Sequence, residues 1–238
     1  MKILDLTFPS PEDNLACDDA LLESAEEGLT GEVLRFWEPR SHFVVVGYSN
    51  KVALEVRREA CKKQKVPILR RVSGGGTVLQ GPGCLNYTLV LALKERPLSG
   101  IRTTNDFVMG KNCGALRELA GPEVGVKGLT DLALGNLKFS GNAQRRKKNF
   151  VLFHGTFLLD FDFTRIEDLL SMPSAEPDYR QNRAHTAFLT NLNLASGEIK
   201  KCLAGAWGAS GEEKFSQNEK MKALVEERYS KEAWNFKF

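Results

Sequence analysis

The stretch Arg70-Arg71-Val72-Ser73-Gly74-Gly75-Gly76-Thr77-Val78, continuing through Gly81, Gly83 and Asn86-Tyr87-Thr88, decides how this chain is read. Three consecutive glycines weaken any helix or strand, because glycine loses the most backbone entropy on ordering. They suit a loop whose backbone approaches a ligand or takes positive φ, with successive N–H groups forming an anion-binding concavity. Arg70 and Arg71 bring fixed positive charge and planar donor forks to that loop. A plain glycine-rich hairpin connection is its equal rival. Neither G-x-x-x-x-G-K-[ST] nor G-x-G-x-x-G is present, so no standard nucleotide loop is implied.

The loop sits in a chain of ordinary globular composition. Its 238 residues, 42% hydrophobic and 26% charged, suffice for one large domain with its own core. A formal charge of +3 gives no reason to expect a nucleic-acid or membrane partner. The run Arg145-Arg146-Lys147-Lys148 reads either as a solvated turn or as an attractor for an anionic ligand or acidic partner. The five cysteines, Cys17, Cys61, Cys84, Cys113 and Cys202, form no C-x-x-C pair, and the three histidines lack zinc-ligand spacing. A reduced, cytoplasmic setting is expected. No signal-peptide pattern opens the chain, and no apolar run approaches the roughly 18 to 20 residues of a membrane span.

Periodicity predicts helices over 11–27, 55–65, 103–119, 166–170 and 218–229, and strands over 32–37, 43–47, 67–71, 85–93, 132–134, 137–140 and 150–161. A basic turn is expected over 144–149, and a polar, irregular chain after Pro173. Many strands are joined by short turns, Gly135-Asn136 among them. The expected class is therefore α+β, with mixed, largely antiparallel sheets and flanking helices, rather than a doubly wound parallel sheet.

A second dense stretch is Lys138-Phe139-Ser140-Gly141-Asn142-Ala143-Gln144. On a strand, period two puts Lys138 and Ser140 on one face. An exposed lysine so presented can hold a phosphate as a compact charge. A few residues on stands Phe153-His154-Gly155-Thr156. A lone histidine among apolar residues reads first as a hydrogen-bonded core group.

Taken together, Arg70–Val78, Leu85–Thr88, Lys138–Gln144 and His154–Thr156 resemble the lipoate–protein ligase A family of the biotin/lipoyl ligase and octanoyltransferase superfamily. The segments Asn14-Leu15-Ala16, Phe36-Trp37-Glu38-Pro39, Val44 to Asn50 and Trp234-Asn235-Phe236 agree in order and spacing. The resemblance implies a single catalytic domain over 1–238. It implies attack of lipoate on the α-phosphate of ATP, giving lipoyl-adenylate, then transfer to a lysine of a lipoyl-carrier protein. It makes Lys138 the catalytic residue, touching carboxyl and α-phosphate oxygens. Substrate or ATP binding falls to Arg71, Ser73, Gly74, Gly75, Gly76, Thr77, Val78, Asn86, Asp131, Ser140, Gly141, His154, Gly155 and Thr156. Magnesium is implied through the ATP phosphates, with no protein ligand assigned. The apolar Val44, Val46, Val78 and Leu79 are candidates for the acyl groove.

Two departures from the family pattern matter. Many members carry an accessory C-terminal domain after the segment matching Trp234-Asn235-Phe236. The resemblance then implies either a ligase that works without it or one served by a separate small accessory chain. The octanoyltransferase branches use a cysteine nucleophile, but Gly128-Leu129-Thr130 and Ala184-His185-Thr186 have none where those branches place it. Cys84 and Cys113 are expected to be buried and structural. Two alternatives to the ligase remain, an ATP-independent octanoyl or lipoyl transferase and a non-catalytic lipoate- or carrier-binding module.

Overall fold

The computed structural model describes residues 1–94, 96 and 98–238. The elements run β1 (Lys2–Asp5), α1 (Pro11–Glu26), β2 (Val33–Trp37), β3 (Phe43–Val46), α2 (Val52–Glu55), α3 (Arg58–Lys63), β4 (Ile68–Arg70), β5 (Val78–Gln80) and β6 (Cys84–Ala92). There follow α4 (Ile101–Ala120), β7 (Val124–Lys127), β8 (Asp131–Leu134), β9 (Leu137–Arg146) and β10 (Phe150–Leu158). The chain closes with α5 (Thr164–Leu169), α6 (His185–Phe188), α7 (Ser196–Trp207), α8 (Asn218–Leu224) and α9 (Glu232–Asn235).

The strands form two sheets. The large one has the order β1-β2-β6-β10-β9-β8-β7, antiparallel except for β1 against β2. The small one has the order β4-β3-β5, with β4 parallel and β5 antiparallel to β3. The class is the α+β arrangement expected from the sequence.

Alternation along the strands gives the large sheet two buried faces. Phe36, Tyr87, Leu89, Phe153 and Phe157 pack with Val108 and Met109 of α4 and Ile199, Leu203 and Trp207 of α7. Val33 and Val90 face the other way, onto Leu15, Cys17 and Leu21 of α1 and Met221 of α8. A third cluster joins Val44, Val46 and Leu79 of the small sheet to Cys61, Ile166 and Leu169. Ser10 caps α1 by accepting from the Asp13 N–H, with Pro11 at the first turn. No helix among the described residues is long and apolar enough to cross a membrane.

Several sequence expectations are corrected. The helix expected over 55–65 is split, because Val56 takes extended dihedrals and bridges Leu170 while the Arg57 N–H donates to the Leu169 carbonyl. A buried β-branched residue with a strand partner thus interrupts the helix. The expected terminal helix is α only to Leu224, then widens into a π turn over Val225–Tyr229. That turn brings Arg228 and Tyr229 onto Asp19. The polar region after Pro173 contains α7, whose Ile199, Leu203 and Trp207 recur at helical spacing.

The basic stretch is a turn only in its second half: β9 continues through Arg146, and residues 147–149 make the turn into β10, closed by the Lys147 N–H donating to the Phe150 carbonyl (2.9 Å). Arg146 donates to the Leu98 carbonyl and Thr104, and Lys147 pairs with Glu23 of α1. Only Arg145 and Lys148 of the four are exposed. Reversing those two, as Arg145→Glu with Lys148→Glu, is expected to leave stability within about 0.5 kcal/mol. The same reversal of Arg146 and Lys147 strips their buried-side partners and is expected to lower the chemical-denaturation midpoint clearly.

Candidate functional site

The glycine loop leaves the small sheet after β4 and crosses the β9–β10 face of the large one. Arg71 shapes it from below. Its Nε–H donates to Ser73 Oγ (3.0 Å), its Nη2 to the Gly74 and Gly76 carbonyls (2.6 and 2.7 Å), and its Nη1 to the Val45 carbonyl (3.3 Å). With the loop carbonyls turned inward to the guanidinium, the exposed Gly74, Gly75 and Gly76 N–H groups have no protein acceptor among the described residues. Burial lowers Arg71 to about 10, still protonated at neutral pH. Gly75 sits at φ +83°, and a Cβ there would lie 3.0 Å from the Arg71 guanidinium and 3.4 Å from Ala143 of β9. This close approach across the sheet joint explains one glycine of the triplet. Arg70, expected beside a ligand, is wholly buried and donates to the carbonyls of Gly47, Asn50, Trp234 and Asn235. It ties the C-terminal segment under the loop.

Ser73 is the loop's link to the large sheet. Its Oγ lies 2.6 Å from His154 Nε2 on β10. Nδ1 faces the Asp18 carboxylate, which can only accept, and with the ring proton on Nδ1 the Nε2 atom accepts from the Ser73 hydroxyl. Nδ1 lies 3.5 Å from Asp18 Oδ2 of α1. Asp18 also accepts from Arg35 Nη1 (2.5 Å) and Thr88 Oγ1 (2.8 Å). Burial pushes the Asp18 carboxyl up, but Arg35 and His154 outweigh it and hold the group below its ordinary value. A Ser73–His154–Asp18–Arg35 chain therefore runs from the loop into the α1 side of the core.

β10 register places His154 opposite Thr88 and Ala143, and Thr156 opposite Asn86 and Gly141. These residues share one face. Asn86 is not a free ligand: its Oδ1 accepts from Thr156 Oγ1 (2.6 Å) and its Nδ2 donates to Gln80 Oε1 (3.0 Å), while Gln80 Nε2 donates back to Thr156 (2.6 Å). Gly155 points the opposite way. A Cβ there would meet Asn142 Oδ1 at 1.7 Å and the Tyr87 ring at 2.7 Å. Gly155→Ala is expected to cost about 1–3 kcal/mol by overpacking, measured as a lower denaturation midpoint.

The Lys138 end of the site depends on an irregularity. Asp131 pairs with Gly141 and Leu132 with Ser140, but Ala133 pairs with Lys138, so Phe139 is an extra residue in β9. The bulge breaks the period of two. Lys138 and Gly141 share the site face, with Lys138 Nζ 3.0 Å from where a Gly141 Cβ would stand. Ser140, expected beside Lys138, instead accepts from Asn142 in a network with Tyr87, Asn112 and Trp207 behind the sheet. Lys138 Nζ pairs with Asp131 Oδ1 (2.7 Å), and the Tyr179 hydroxyl donates to Asp131 Oδ2 (2.8 Å). A quarter of the lysine side chain is exposed.

Of the sequence-named residues, the structure gathers Arg71, Ser73, Gly74, Gly75, Gly76 and His154 into one cluster and Asp131, Lys138 and Gly141 into another, with Asn86 and Thr156 on the same sheet face. Gly155 and Ser140 face the core behind it, and Thr77 turns to Glu55 (2.5 Å). Val44, Val46 and Leu79, named for an acyl groove, are at most 4% exposed and offer no free wall; Val78 packs onto the α1 cluster. Sequence reading missed Asp18, Glu55, Gln80 and Tyr179. The one available signal was acidic residues, Asp18 and Asp19, within the apolar repeat of α1. A cavity of about 520 Å³ bordered by Arg58, Ile68, Tyr229 and Phe236 contains none of the named residues.

Four of the five cysteines are held away from the thiolate form. Burial pushes Cys17 and Cys84 up to about 12 and raises Cys61 and Cys202. Cys84 and Cys113 are buried, as expected. Among the described residues no three His, Cys, Asp or Glu side chains are grouped to hold a metal ion.

The chain is similar to several known proteins. It is 34% identical over 176 residues to "Probable lipoate-protein ligase A" of Mycoplasma pneumoniae, a match covering 72% of this chain and 50% of that protein. The chain thus spans about half the length of that relative. It is 26% identical over 275 residues to the octanoyltransferase LipM of Halalkalibacterium halodurans, covering 99% of this chain and 98% of the relative. The fold matches a crystal structure of lipoate-protein ligase A bound with ATP, with TM-score 0.84, 22% identity and coverage of 99% and 98% of the two chains. The lipoyl protein ligase A/B catalytic-domain model matches residues 10–201. On that match the chain belongs to the lipoyl protein ligase A/B catalytic-domain family.

Proposed function

We propose that this chain is a lipoate–protein ligase acting as a single catalytic domain, activating lipoate with ATP and passing the lipoyl group to a lysine of a lipoyl-carrier protein. The observation that carries the reading is the pairing of acceptor-free loop amides at Gly74–Gly76 with the partly exposed Lys138 ammonium on one sheet face. Amides and a compact cation are the donors that a phosphate undergoing substitution needs. ATP bound to a ligase of the same fold supports this nucleotide.

In the first step a carboxylate oxygen of lipoate bonds to the α-phosphorus and the bond to pyrophosphate breaks. In the second, the carrier amine bonds to the acyl carbon, the bond to AMP breaks, and the amine's proton leaves to solvent or a base. Lys138 must pass from Asp131 to the α-phosphate, while Tyr179 retains Asp131 through its other oxygen. Arg71 keeps the loop amides facing outward, and His154 fixes Ser73. Among the described residues the donor set offers no protein cage for magnesium, so no step is assigned to that ion.

The octanoyltransferase reading is favoured by the near-complete length match to LipM. It needs an acyl-enzyme nucleophile, and burial holds Cys17, Cys61, Cys84 and Cys202 away from the thiolate form. ATP-dependent release of pyrophosphate that requires free lipoate supports the ligase. Acyl transfer from an octanoyl-carrier without ATP contradicts it, and binding with turnover of neither kind leaves a carrier-binding module.

A further inference from the structure

We propose that Glu55 is a positioning residue that fixes the glycine loop and segment 171–183 to one another at the edge of the site. Glu55 ends α2 and is only 3% exposed. Its carboxylate accepts from Asn50 Nδ2 (2.7 Å), Thr77 Oγ1 (2.5 Å) and Ser174 Oγ. The three donors come from three separate segments: the turn after β3, the glycine loop and the chain beyond α5. The Ser171 N–H donates to the Glu55 carbonyl as well (3.0 Å).

No Lys or Arg nitrogen among the described residues lies within ion-pair distance of this carboxylate. Its field reaches Arg71 only at longer range. A buried carboxylate held by neutral donors is costly unless its acceptor sites are filled. Burial pushes the Glu55 carboxyl up, and the bonds from Ser174, Thr77 and Asn50 bring it below the ordinary value. A carboxylate accepts from all three donors as they stand, whereas a carboxamide keeps one acceptor oxygen, for Asn50 and Thr77, and forces the Ser174 hydroxyl to reverse its bond and accept.

The second attachment of segment 171–183 gives the node its consequence. Ser174 joins the segment to Glu55, and Tyr179 joins it to Asp131, the partner of Lys138. Pro177 and Tyr179 also pack on Gly128, just before β8. The glycine loop and the Lys138 cluster, which share no direct bond, are thereby held in register by one segment tied to two carboxylates.

Hydrogen exchange on the intact chain tests this without any need for turnover. Ser174 is exposed, and Ser174→Ala removes its hydroxyl bond to Glu55 while leaving the Asn50 and Thr77 bonds in place. It is expected to speed exchange about tenfold in 171–183 and measurably in 72–78, with the rest of the chain unchanged. Glu55→Gln is expected to speed both segments together by at least that factor. Thr77→Ser, which keeps the hydroxyl, is expected to hold the wild-type pattern. Wild-type exchange at 72–78 in Ser174→Ala, or a uniform rise across the chain in Glu55→Gln, overturns the proposal. The kinetic arm rests on the ligase reading: Glu55→Gln is expected to raise KM for ATP about tenfold with a smaller change in kcat. Absence of lipoate-dependent ATP turnover in the wild type defeats that reading alone, because the exchange arm is scored independently.

Discussion

Lys138→Ala is expected to lower lipoate-dependent pyrophosphate release by about 10²- to 10³-fold, the range for removing one preorganised donor from a developing charge. The fold is expected to survive. The Lys138–Asp131 pair is a quarter exposed on the lysine side, and pairs in contact with solvent contribute about 0–1 kcal/mol. Loss of activity with an unchanged denaturation midpoint therefore separates chemistry from stability. Lys138→Arg is not expected to rescue the rate. The bulge at Phe139 and the absent Cβ at Gly141 let a slender lysine lie along the strand, and a planar guanidinium is a different shape with a fixed fork. Wild-type pyrophosphate release by Lys138→Ala removes Lys138 from the mechanism.

The second large effect is at Asp18. Asp18→Ala is expected to destabilise the chain by about 3–5 kcal/mol, because it leaves Arg35 as a wholly buried cation without its carboxylate. Thr88 and His154 lose their acceptor in the same substitution. The pH dependence has a definite sign. Folded Asp18 titrates below its unfolded value of about 3.9. Its contribution is complete above that pH and is lost as the pH falls through the folded value. The stability gap between wild type and Asp18→Asn is thus expected to be constant near neutrality and to narrow below about pH 4. Urea titrations at several pH values measure it, and a gap that widens on acidification contradicts the assignment.

Much of the fold was legible because local pattern and tertiary use agree. Alternation in 85–93 became β6, and Gly135-Asn136 became the β8–β9 connection. The glycine triplet and His154 were visible as residue types in register with a family pattern. Their bonding was not. Ser73 meets His154 across 81 positions, and Tyr179 meets Asp131 across 48. No period or propensity encodes such pairs. The bulge at Phe139 moved Ser140 to the core and Gly141 to the site, a one-residue shift that alternation cannot foresee. Asp18 and Glu55 read as ordinary helix acids, since only burial distinguishes them from solvated ones. The run Arg145–Lys148 misled in the opposite direction, because two of its cations are used inside the fold.

The central claim is activation of a free acid by ATP followed by transfer to a carrier lysine. Its most direct measurement is the intact mass of a lipoyl-carrier domain after incubation with this chain, with two donor systems run side by side. With free lipoate, ATP and magnesium, the carrier is expected to gain one lipoyl group, with one AMP released per modified carrier. With an octanoyl-carrier donor and no ATP, it is expected to stay unmodified. Modification in the second mixture and none in the first contradicts the account.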